Sequence, residues 1–542
     1  MRARTLVAAV ALLVLGACTR DVEDPPRGED GAAPGAEPAC DPAVEEPLRA
    51  WADAGFSGTV TLTADGATTC AAAFGLDDPA TGAPHTADSV FAIGSVSKAV
   101  TAAAVLDLVA AGDLALDATA GSILPDLAGP AAGATVEQLL VHTSGLSGAV
   151  ATDDDQPLGH DEAVAALGRL ALVAAPGEEV LYADAGYVLL ALLVEEAAGE
   201  PYRDHLLAEV LTLDDGTVLG GFADEGPGPH WALTGNGDVA MTTAQLARWT
   251  EALFAGEVIA PEAVALIEEL AVDEGDGTAE LAGWVRFDAE RFGEPVIAAA
   301  GGGGDVPDVA VAAWLPESGR ALALASDGTD GVTAEDLAGE ILPALVAGDP
   351  LPVPPSTAPA DDGDLAARAG TYALDGGGHL VVTVDGDRLA VAAEGPAAVA
   401  ALFPPADADD AAVRAGHEDQ VRALLAGETA AGREERAALE GDLGPIERVD
   451  VVGTVVAGGE LRTYVTITAD EEALAWYALD RAGGIAAVEI TEEPPTLVLV
   501  ATGPATYRPD DPTGEGPALA VGFGDATMTL TGPDGAVTAR RA

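Results

Sequence analysis

The fold is decided by FAIGSVSKAVTAAAVLDLVAAGDLALD, the stretch from residue 91 to residue 117. Its apolar residues recur at helical spacing, which predicts a helix that begins near Ser95. On such a helix Lys98 stands on the same face as Ser95, one turn further along. A serine hydroxyl needs an adjacent base to become a nucleophile, and a lysine is a base only where burial lowers its pKa. Because the helix is apolar enough to bury Lys98, the two residues are a candidate nucleophile and base.

Lys98 is the single lysine of the chain, whose other basic residues are 23 arginines. With ten serines among 542 residues, a lone lysine falls three positions after a serine with a probability of ten in 542, about 2%. Arginine can replace a lysine that serves as a surface charge, but not one that must lose its proton. The composition therefore favours a chemical role for Lys98, and the alternative is a structural lysine in a buried ion pair.

Four segments, in order along the chain, resemble the class C β-lactamase and penicillin-binding-protein family of serine hydrolases. The first is the pattern Phe-x-x-Gly-Ser-x-Ser-Lys at residues 91–98. The others are LLVHTSGL at 139–146, PGEEVLYADAGYVLLALLVEEAAG from residue 176, and TGNGDVAMTTAQLARW at 234–249. The resemblance extends over roughly residues 44 to 345.

The resemblance implies an α/β (α+β) fold, in which an antiparallel sheet is flanked by helices and a helical subdomain lies beside it. The residue patterns predict the same organisation. SGTVTLTADG and TTCAAAFGLDD alternate as strands at one end of this region, and short apolar stretches return near 297–326. Because helical patterns fill the middle, the two ends are expected to complete one sheet.

The resemblance also implies roles for individual residues. Ser95 would attack a carbonyl carbon and form an acyl-enzyme, and Lys98 would take or relay its proton. Tyr182 would pass the proton to the leaving group and help to activate the water for deacylation. The backbone N–H of Ser95 and one from the strand near Gly304 would form the oxyanion hole, whose oriented donors supply much of such catalysis. His142, in the second segment, is interpreted as structural because the family does not use it as a base.

Two positions depart from the family pattern. Asp184 stands where the second motif, Tyr-x-Asn, has Asn, and an ionised carboxylate beside Lys98 would raise the lysine pKa. A protonated Asp184, or one turned away from Lys98, is the alternative. The third motif, normally a Lys or His before x-Gly, corresponds to AGGGGDVPD at 300–308, which offers no cation and contains Asp305 and Asp308. That cation engages a substrate carboxylate in the family. The sequence therefore favours a neutral ester, amide or lactone over β-lactams and peptide C-termini.

The N-terminus has the pattern of a bacterial export signal. Arg2 and Arg4 precede a short apolar run, and Leu-Gly-Ala-Cys, ending at Cys18, resembles a lipobox. Residues 1–18 are thus predicted to be a lipoprotein signal peptide that leaves a lipid on Cys18, with an ordinary signal peptide as the alternative. Residues 19–43 are rich in Pro, Gly, Asp and Glu and predict a flexible acidic tether. The protein is expected on the outer face of the cell membrane or in the cell envelope.

Cys40 and Cys70 remain once Cys18 is lipidated. In an exported protein a remaining pair predicts a disulfide, and two free thiols are the alternative. No cofactor is predicted, and a metal site is not expected with so few cysteines and scattered histidines. No segment beyond the leader is expected to be long and apolar enough to cross a bilayer, so membrane attachment would be through the lipid alone.

The region after the hydrolase-like domain, which is assigned to residues 44–347, carries no catalytic motif. Residues 348–363 are Pro-rich and predict a linker. Short strand patterns at 364–404 and 494–542 predict a small barrel-like β domain. Between them, residues 405–493 predict an inserted α+β module, and two consecutive modules are the alternative arrangement.

The composition restricts the partners. With 24 basic and 90 acidic residues the net charge is −66, which excludes nucleic-acid binding through a basic face and disfavours anionic lipid surfaces. The predicted substrate is a small ester, an amide or a peptide, cleaved through an acyl-enzyme at Ser95. A surface lipoprotein that kept the fold as a binding module without turnover is one alternative. A β-lactamase or D,D-carboxypeptidase is another, and the oligomeric state does not follow from the sequence.

Overall fold

The computed structural model describes residues 40–146, 148–150, 158–223, 230–275, 277–303, 306–328, 331–355, 362–457, 460–469, 472–479, 483–491, 493–511, 516–533 and 535–542. The predicted leader, Cys18 and most of the predicted tether lie outside these residues. The described chain forms two compact units, one up to residue 353 and one from residue 354 onward.

The first unit contains strands and helices that alternate along the chain. Its strands are β1 (Gly58–Ala64), β2 (Ala67–Phe74), β3 (Leu76–Asp78), β4 (Ala83–Pro84), β5 (Phe91–Ala92), β6 (Gly221–Phe222), β7 (Val239–Met241), β8 (Val272–Asp273), β9 (Thr278–Glu280), β10 (Val285–Phe287), β11 (Val296–Gly303), β12 (Val306–Leu315) and β13 (Arg320–Asp327). Its α-helices are α1 (Pro42–Asp53), α2 (Ser97–Ala111), α3 (Ala120–Ile123), α4 (Val136–Leu140), α5 (His160–Leu167), α6 (Asp184–Ala198), α7 (Tyr202–His205), α8 (Thr243–Phe254), α9 (Pro261–Glu269), α10 (Ala289–Phe292) and α11 (Ala334–Ala347). A π-helical turn covers Leu206–Val210, and 3₁₀ turns cover Gly94–Val96 and Pro130–Gly133.

One antiparallel sheet organises this unit. Among the described residues, eight strands pair in the order β2-β1-β13-β12-β11-β10-β9-β8. Strand β1 pairs with β13 along its whole length, from Gly58 opposite Ser326 to Ala64 opposite Arg320. The two ends of the region are therefore neighbouring strands of one sheet, as the sequence predicts.

Both faces of the sheet are buried by helices, because successive side chains of a strand point to opposite faces. On β12, Val311 packs into a core with helices α1 and α11, and Ala310 and Ala312 face the larger core that holds α2 and α6. Helix α8 packs across β1 and β13 on this second side. The observed layers confirm the predicted sheet with flanking helices and a helical subdomain.

Helix α2 is mostly apolar and runs through the larger core. The segment Gly94–Ala111 is long and apolar enough to cross a bilayer by length and composition, so the expectation that no segment beyond the leader meets that test is wrong. Two thirds of the segment is buried inside the protein, as in the core helix of a globular domain.

A disulfide joins Cys40 to Cys70, which ties the segment before α1 to strand β2. Helix α1 begins at Pro42, where the Asp41 side chain accepts a hydrogen bond from the Ala43 N–H at 2.9 Å and caps the helix. The last residues assigned to the tether therefore form the start of the domain.

The second unit contains the remaining strands and helices. Its strands are β14 (Gly370–Leu374), β15 (His379–Asp385), β16 (Arg388–Glu394), β17 (Arg448–Ala457), β18 (Glu460–Thr468), β19 (Glu472–Leu479), β20 (Ile485–Thr491), β21 (Thr496–Gly503), β22 (Thr506–Pro509), β23 (Ala520–Phe523), β24 (Thr527–Gly532) and β25 (Gly535–Arg541). Its helices are α12 (Asp362–Arg368), α13 (Pro396–Leu402), α14 (Ala408–Leu425) and α15 (Ala430–Leu443).

The second unit is a barrel that is interrupted in sequence by another module. In the described residues, eight strands close the barrel in the order β14-β15-β16-β21-β22-β23-β24-β25. The chain leaves the barrel after β16 and returns at β21, and between them β17 to β20 form a separate antiparallel sheet. Helices α14 and α15 bury one face of that sheet around Val465 and Tyr477. This arrangement confirms the predicted barrel with an inserted α+β module.

Candidate active site

Ser95 lies in the 3₁₀ turn Gly94–Val96, between strand β5 and helix α2. Helix α2 begins at Ser97, two residues later than the sequence predicts. The Gly94 backbone has a φ of 51°, and a Cβ there would come within 2.5 Å of the Gly302 N atom. A Cβ at Gly301 would overlap the Ser95 N atom. Glycines are therefore required where strand β11 passes directly against the backbone of the nucleophile.

Lys98 projects from the first turn of α2 toward Ser95, as the three-residue spacing predicts. Its Nζ atom donates to the Ser95 Oγ atom at 2.9 Å and to the Asn236 carbonyl at 3.3 Å. It also lies 2.7 Å from the Asp184 Oδ1 atom. The side chain is almost completely buried. Lys98 is thus fixed by three oxygen atoms, one of which belongs to the candidate nucleophile.

The Asn236 carbonyl is placed at Lys98 by contacts between α2 and the segment before β7. The Thr101 hydroxyl donates to the Gly235 carbonyl at 2.7 Å, and the Val239 N–H donates to the Ser97 Oγ atom at 3.1 Å. Both side chains are buried on α2. Residues on either side of Asn236 are therefore bonded to the helix that carries Lys98.

Tyr182 completes the environment of the Ser95 hydroxyl. Its phenol donates to the Ser95 Oγ atom at 2.8 Å. Burial raises the Tyr182 pKa, and the Asp184 carboxylate raises it too, against the opposite effect of the Lys98 ammonium. The phenol therefore holds its proton at neutral pH. The Ser95 oxygen accepts hydrogen bonds from both Lys98 and Tyr182, an arrangement that stabilises negative charge developing on that oxygen.

The charge state of Lys98 differs from the one expected for a lysine base. Burial lowers its pKa, as the sequence analysis expects, but the Asp184 carboxylate and Tyr182 outweigh burial and the Lys98 pKa lies above its usual value. This is the effect that the sequence predicts for an ionised Asp184 beside Lys98. The Asp184 carboxylate, which replaces the amide of the family motif, is the cause.

The predicted second oxyanion donor, Gly304, lies outside the described residues, as does Asp305. Strand β11 is described as far as Gly303, and it approaches Ser95 through Gly301 and Gly302. Ala300 precedes these glycines where the family pattern has Lys or His. Several described residues are bonded to Ser95, Tyr182 or Asp184 as set out above. One of these described residues is a cation, and it is Lys98.

Asp308 supports the backbone that leads to Ser95. Its Oδ2 atom accepts a hydrogen bond from the Ala92 N–H at 2.9 Å. Burial raises the Asp308 pKa to about 6, the Ala92 bond opposes this, and Asp327 on the neighbouring strand adds to it. Asp308 is therefore bonded to the backbone of strand β5, three residues before Ser95.

His142 has contacts that the sequence does not predict. Its Nδ1 atom accepts a hydrogen bond from the Ala183 N–H at 3.2 Å, and its ring centroid lies 4.5 Å from that of Tyr182. The sequence places His142 in LLVHTSGL, 40 residues before Tyr182, and no spacing in the sequence indicates that the two rings pack together. In the part of the chain that is described, no group of three or more His, Cys, Asp or Glu side chains is arranged to hold a metal ion.

The sequence profile of the beta-lactamase family matches residues 44–345, more than half of the chain. The chain belongs to the beta-lactamase family. This confirms the family that the four sequence segments resemble.

Within the beta-lactamase family, two relatives match parts of this domain. Penicillin-binding protein 4 of Amycolatopsis lactamdurans is 36% identical over 140 residues, which are 24% of this chain and 36% of the relative. Esterase EstB of Burkholderia gladioli is 36% identical over 163 residues, which are 26% of this chain and 41% of the esterase. The matches therefore cover less than half of the length of either relative.

The octameric penicillin-binding protein homologue from Pyrococcus abyssi has a similar structure. The two structures align with a TM-score of 0.50 at 17% sequence identity, over 91% of this chain and 98% of the homologue. At this identity the likeness shows the fold. A beta-lactamase-family domain followed by further β structure therefore has a counterpart among solved structures.

Proposed function

We propose that this beta-lactamase-family protein is a serine hydrolase that cleaves an ester or an amide through an acyl-enzyme on Ser95. The observation that carries the proposal is the Ser95 Oγ atom, which accepts hydrogen bonds from the side chains of Lys98 and Tyr182 at 2.9 and 2.8 Å. A nucleophile bonded to two groups that can exchange protons is the arrangement that acyl transfer requires. A relative in the same family carries the name esterase.

In the proposed acylation, the Ser95 oxygen attacks the substrate carbonyl carbon and forms a tetrahedral oxyanion. The Ser95 proton passes to the neutral form of Lys98, and the backbone N–H of Ser95 stabilises the oxyanion. Tyr182 then donates its phenolic proton to the leaving alcohol or amine and regains a proton from Lys98. The bond to the leaving group breaks, and the acyl group remains on Ser95.

In the proposed deacylation, the same groups act in the opposite direction. Lys98 and Tyr182 remove a proton from an incoming water, which attacks the acyl carbon. The Ser95 oxygen leaves and recovers the proton, so that the products are a carboxylic acid and the original enzyme. Both half-reactions require Lys98 to be neutral for part of the time, and the contact with Asp184 makes this form rare near neutral pH.

The proposed substrates have a neutral group where the family's usual substrates present a carboxylate. Ala300 offers no charge at the position of the third-motif cation, and the net charge of −66 repels anions from the whole protein. A neutral ester, amide or lactone needs no such cation. We therefore expect uncharged esters to be hydrolysed faster than anionic β-lactams.

A hydrolysis assay tests the proposal directly. The full chain, purified in detergent, is incubated with an activated short-chain aryl ester beside its Ser95→Ala variant, with Ser122→Ala as a matched control at an exposed serine. We expect hydrolysis by the wild type and by Ser122→Ala, and none above background with Ser95→Ala. If wild type and Ser95→Ala have equal rates, and an activated-serine reagent does not label Ser95, the protein is not a serine hydrolase with Ser95 as its nucleophile.

The Lys98–Asp184 contact supports a second candidate, a binding protein that kept the fold and lost turnover. A lysine held as an ammonium by a carboxylate 2.7 Å away is a poor base. In that case Ser95 would remain unlabelled by the activated-serine reagent at every pH. Labelling of Ser95 that increases with pH would instead support the hydrolase.

We also propose that the protein is exported and held at the outer face of the cell membrane by a lipid on Cys18. The lipobox-like sequence that ends at Cys18 supports this. Metabolic labelling with a fatty-acid analogue, compared between wild type and Cys18→Ser, tests it. Labelling that persists in Cys18→Ser would contradict the anchor.

A further inference from the structure

Tyr182 lies between two residues whose backbones are bonded to His142. The Leu181 N–H donates to the His142 carbonyl at 2.7 Å, and the Ala183 N–H donates to the His142 Nδ1 atom at 3.2 Å. One histidine therefore binds the chain immediately before and immediately after the tyrosine. These bonds restrict the direction in which the Tyr182 side chain leaves the backbone.

The imidazole ring also contacts the tyrosine itself. The two ring centroids are 4.5 Å apart with the ring planes inclined by 34°, and His142 is buried. The imidazole also lies 5.2 Å from the ring of Tyr187 on helix α6, whose hydroxyl donates to the Leu140 carbonyl at 2.7 Å. The histidine therefore packs against the rings of both tyrosines.

The His142 backbone adopts a conformation that few side chains accept. Its φ is 53°, in the left-handed region, where Asn, Asp and His are the non-glycine residues found most often. This conformation lets one residue direct both its carbonyl and its side chain at the segment that carries Tyr182. Left-handed non-glycine residues are strained and are concentrated at functional sites.

The hydrogen bond from Ala183 determines the protonation of the ring. Because Nδ1 accepts that bond, the proton of the neutral imidazole is on Nε2. Burial and the Lys98 ammonium lower the His142 pKa to about 3, although Asp184 opposes them, so the ring stays neutral at physiological pH.

Among the described residues, the one carboxyl oxygen within 4 Å of Nε2 is Glu280 Oε1, at 3.9 Å, which is too far for a hydrogen bond. Burial and Glu274 raise the Glu280 pKa to about 8, against the effect of Lys98. Glu280 is therefore mostly protonated at pH 7, and no ion pair competes with the bond from Ala183.

We propose that His142 is a positioning residue that fixes the phenol of Tyr182 against the Ser95 oxygen, through its Nδ1 atom and its carbonyl. The inference rests on the proposed hydrolase function. In this role His142 exchanges no proton with the substrate. Its effect is on kcat, because misplacing a proton donor by about 1 Å costs about 100-fold in rate.

Three substitutions separate the parts of this role. His142→Asn keeps an acceptor, Oδ1, at the place of Nδ1 and tolerates the left-handed backbone. His142→Gln moves its acceptor one bond further out, toward the place of Nε2. His142→Gly accepts the backbone conformation without strain but has neither acceptor nor ring. His142→Asn is therefore the variant expected to keep activity, and His142→Gln and His142→Gly are the variants expected to lose it.

The assay measures kcat and KM of the full chain with the aryl ester, and the thermal midpoint of each variant. We expect His142→Gly and His142→Gln to lower kcat about 100-fold with little change in KM. We expect His142→Asn to recover most of that loss, with the pH profile from 5 to 8 unchanged in shape. The proposal is overturned if His142→Gly keeps the wild-type kcat, or if His142→Asn loses as much as His142→Gly or fails to fold.

A second measurement is independent of catalysis. Nitrogen-15 NMR of labelled histidine in the full chain, with the His142 signal assigned by its loss in His142→Asn, reports which ring nitrogen carries the proton. We expect a neutral ring protonated on Nε2 that does not titrate between pH 5 and 8. A proton on Nδ1, or a titration in that range, would overturn the proposal. If wild type and Ser95→Ala are equally inert, the proposed function fails while this result still decides whether His142 binds Ala183.

Discussion

The Asp184 Oδ1 atom lies 2.7 Å from the Lys98 Nζ atom, at the position where the family motif has an amide. An amide can donate or accept a hydrogen bond there without adding charge, whereas the carboxylate stabilises the ammonium form of the lysine. The single lysine of the chain is therefore held in the protonation state that is less useful for proton abstraction.

Replacing Asp184 by Asn tests this relationship. Removing the carboxylate lowers the Lys98 pKa, so a larger fraction of the lysine is neutral at pH 7, by about tenfold for each unit of the decrease. We expect the alkaline rise of kcat/KM to move to lower pH and the rate at pH 7 to increase. Measuring kcat/KM from pH 6 to 10 for wild type, Asp184→Asn and the charge-preserving control Asp184→Glu checks this.

The opposite result has a definite meaning. If Asp184→Asn loses activity at every pH while its thermal midpoint stays near that of wild type, the carboxylate takes part in moving the proton from Ser95. Lys98 would then be an intermediate carrier between Ser95 and Asp184 rather than the final acceptor.

Replacing Lys98 by Arg preserves its charge but removes its capacity to lose a proton, because the guanidinium pKa is above 12. Ester hydrolysis by Lys98→Arg should fall to the level of Ser95→Ala. A structural lysine, needed for its positive charge beside Asp184, would instead tolerate the change. Activity of Lys98→Arg within about tenfold of the wild-type rate would contradict the role of Lys98 as a base.

Replacing Tyr182 by Phe removes the hydrogen bond to the Ser95 oxygen and leaves the ring that packs against His142. General acid–base groups contribute about 10²–10⁴-fold, so kcat should fall by that factor with a small change in KM. Tyr187→Phe is the matched control, since it loses a bond to the Leu140 carbonyl outside the reacting groups. That control should lose about 1 kcal/mol of unfolding free energy and keep its kcat. Equal kcat values for the two variants would contradict the assignment of Tyr182.

Much of the fold follows from local patterns in the sequence. The alternation in β1 and β2 and the return of short apolar runs near β13 predict that the two ends of the domain meet in one sheet, as the pairing of Gly58 with Ser326 shows. The barrel and its inserted module follow from short strands on either side of a helical interval. These features depend on periodicities of two and 3.6 residues, which a sequence displays directly.

The site is predicted less completely, because its chemistry depends on distances between segments that are remote in sequence. The Ser95 to Lys98 spacing lies within one helical turn and is visible in the sequence. The balance between burial and Asp184 that sets the Lys98 pKa is not visible, since it depends on a 2.7 Å contact across 86 positions. The contact between His142 and Tyr182 is hidden for the same reason, and a left-handed histidine has no sequence signal of its own.

Glu280 gives the protein a pH-dependent stability that a single substitution should remove. Its pKa is raised from 4.5 to about 8 by burial and by Glu274. Between those values the folded state holds a proton that the unfolded state has lost, so the free energy of unfolding falls as pH rises, by at most about 1.4 kcal/mol per pH unit from this group. Glu280→Gln, which cannot ionise, should therefore gain stability relative to wild type as the pH rises from 5 to 8.

Urea unfolding at pH 5, 6, 7 and 8 measures this difference, with Glu269→Gln as the control at an exposed position. A constant difference between wild type and Glu280→Gln across this range would show that Glu280 is ionised in the folded protein, and that its carboxylate lies beside the Nε2–H of His142 at neutral pH.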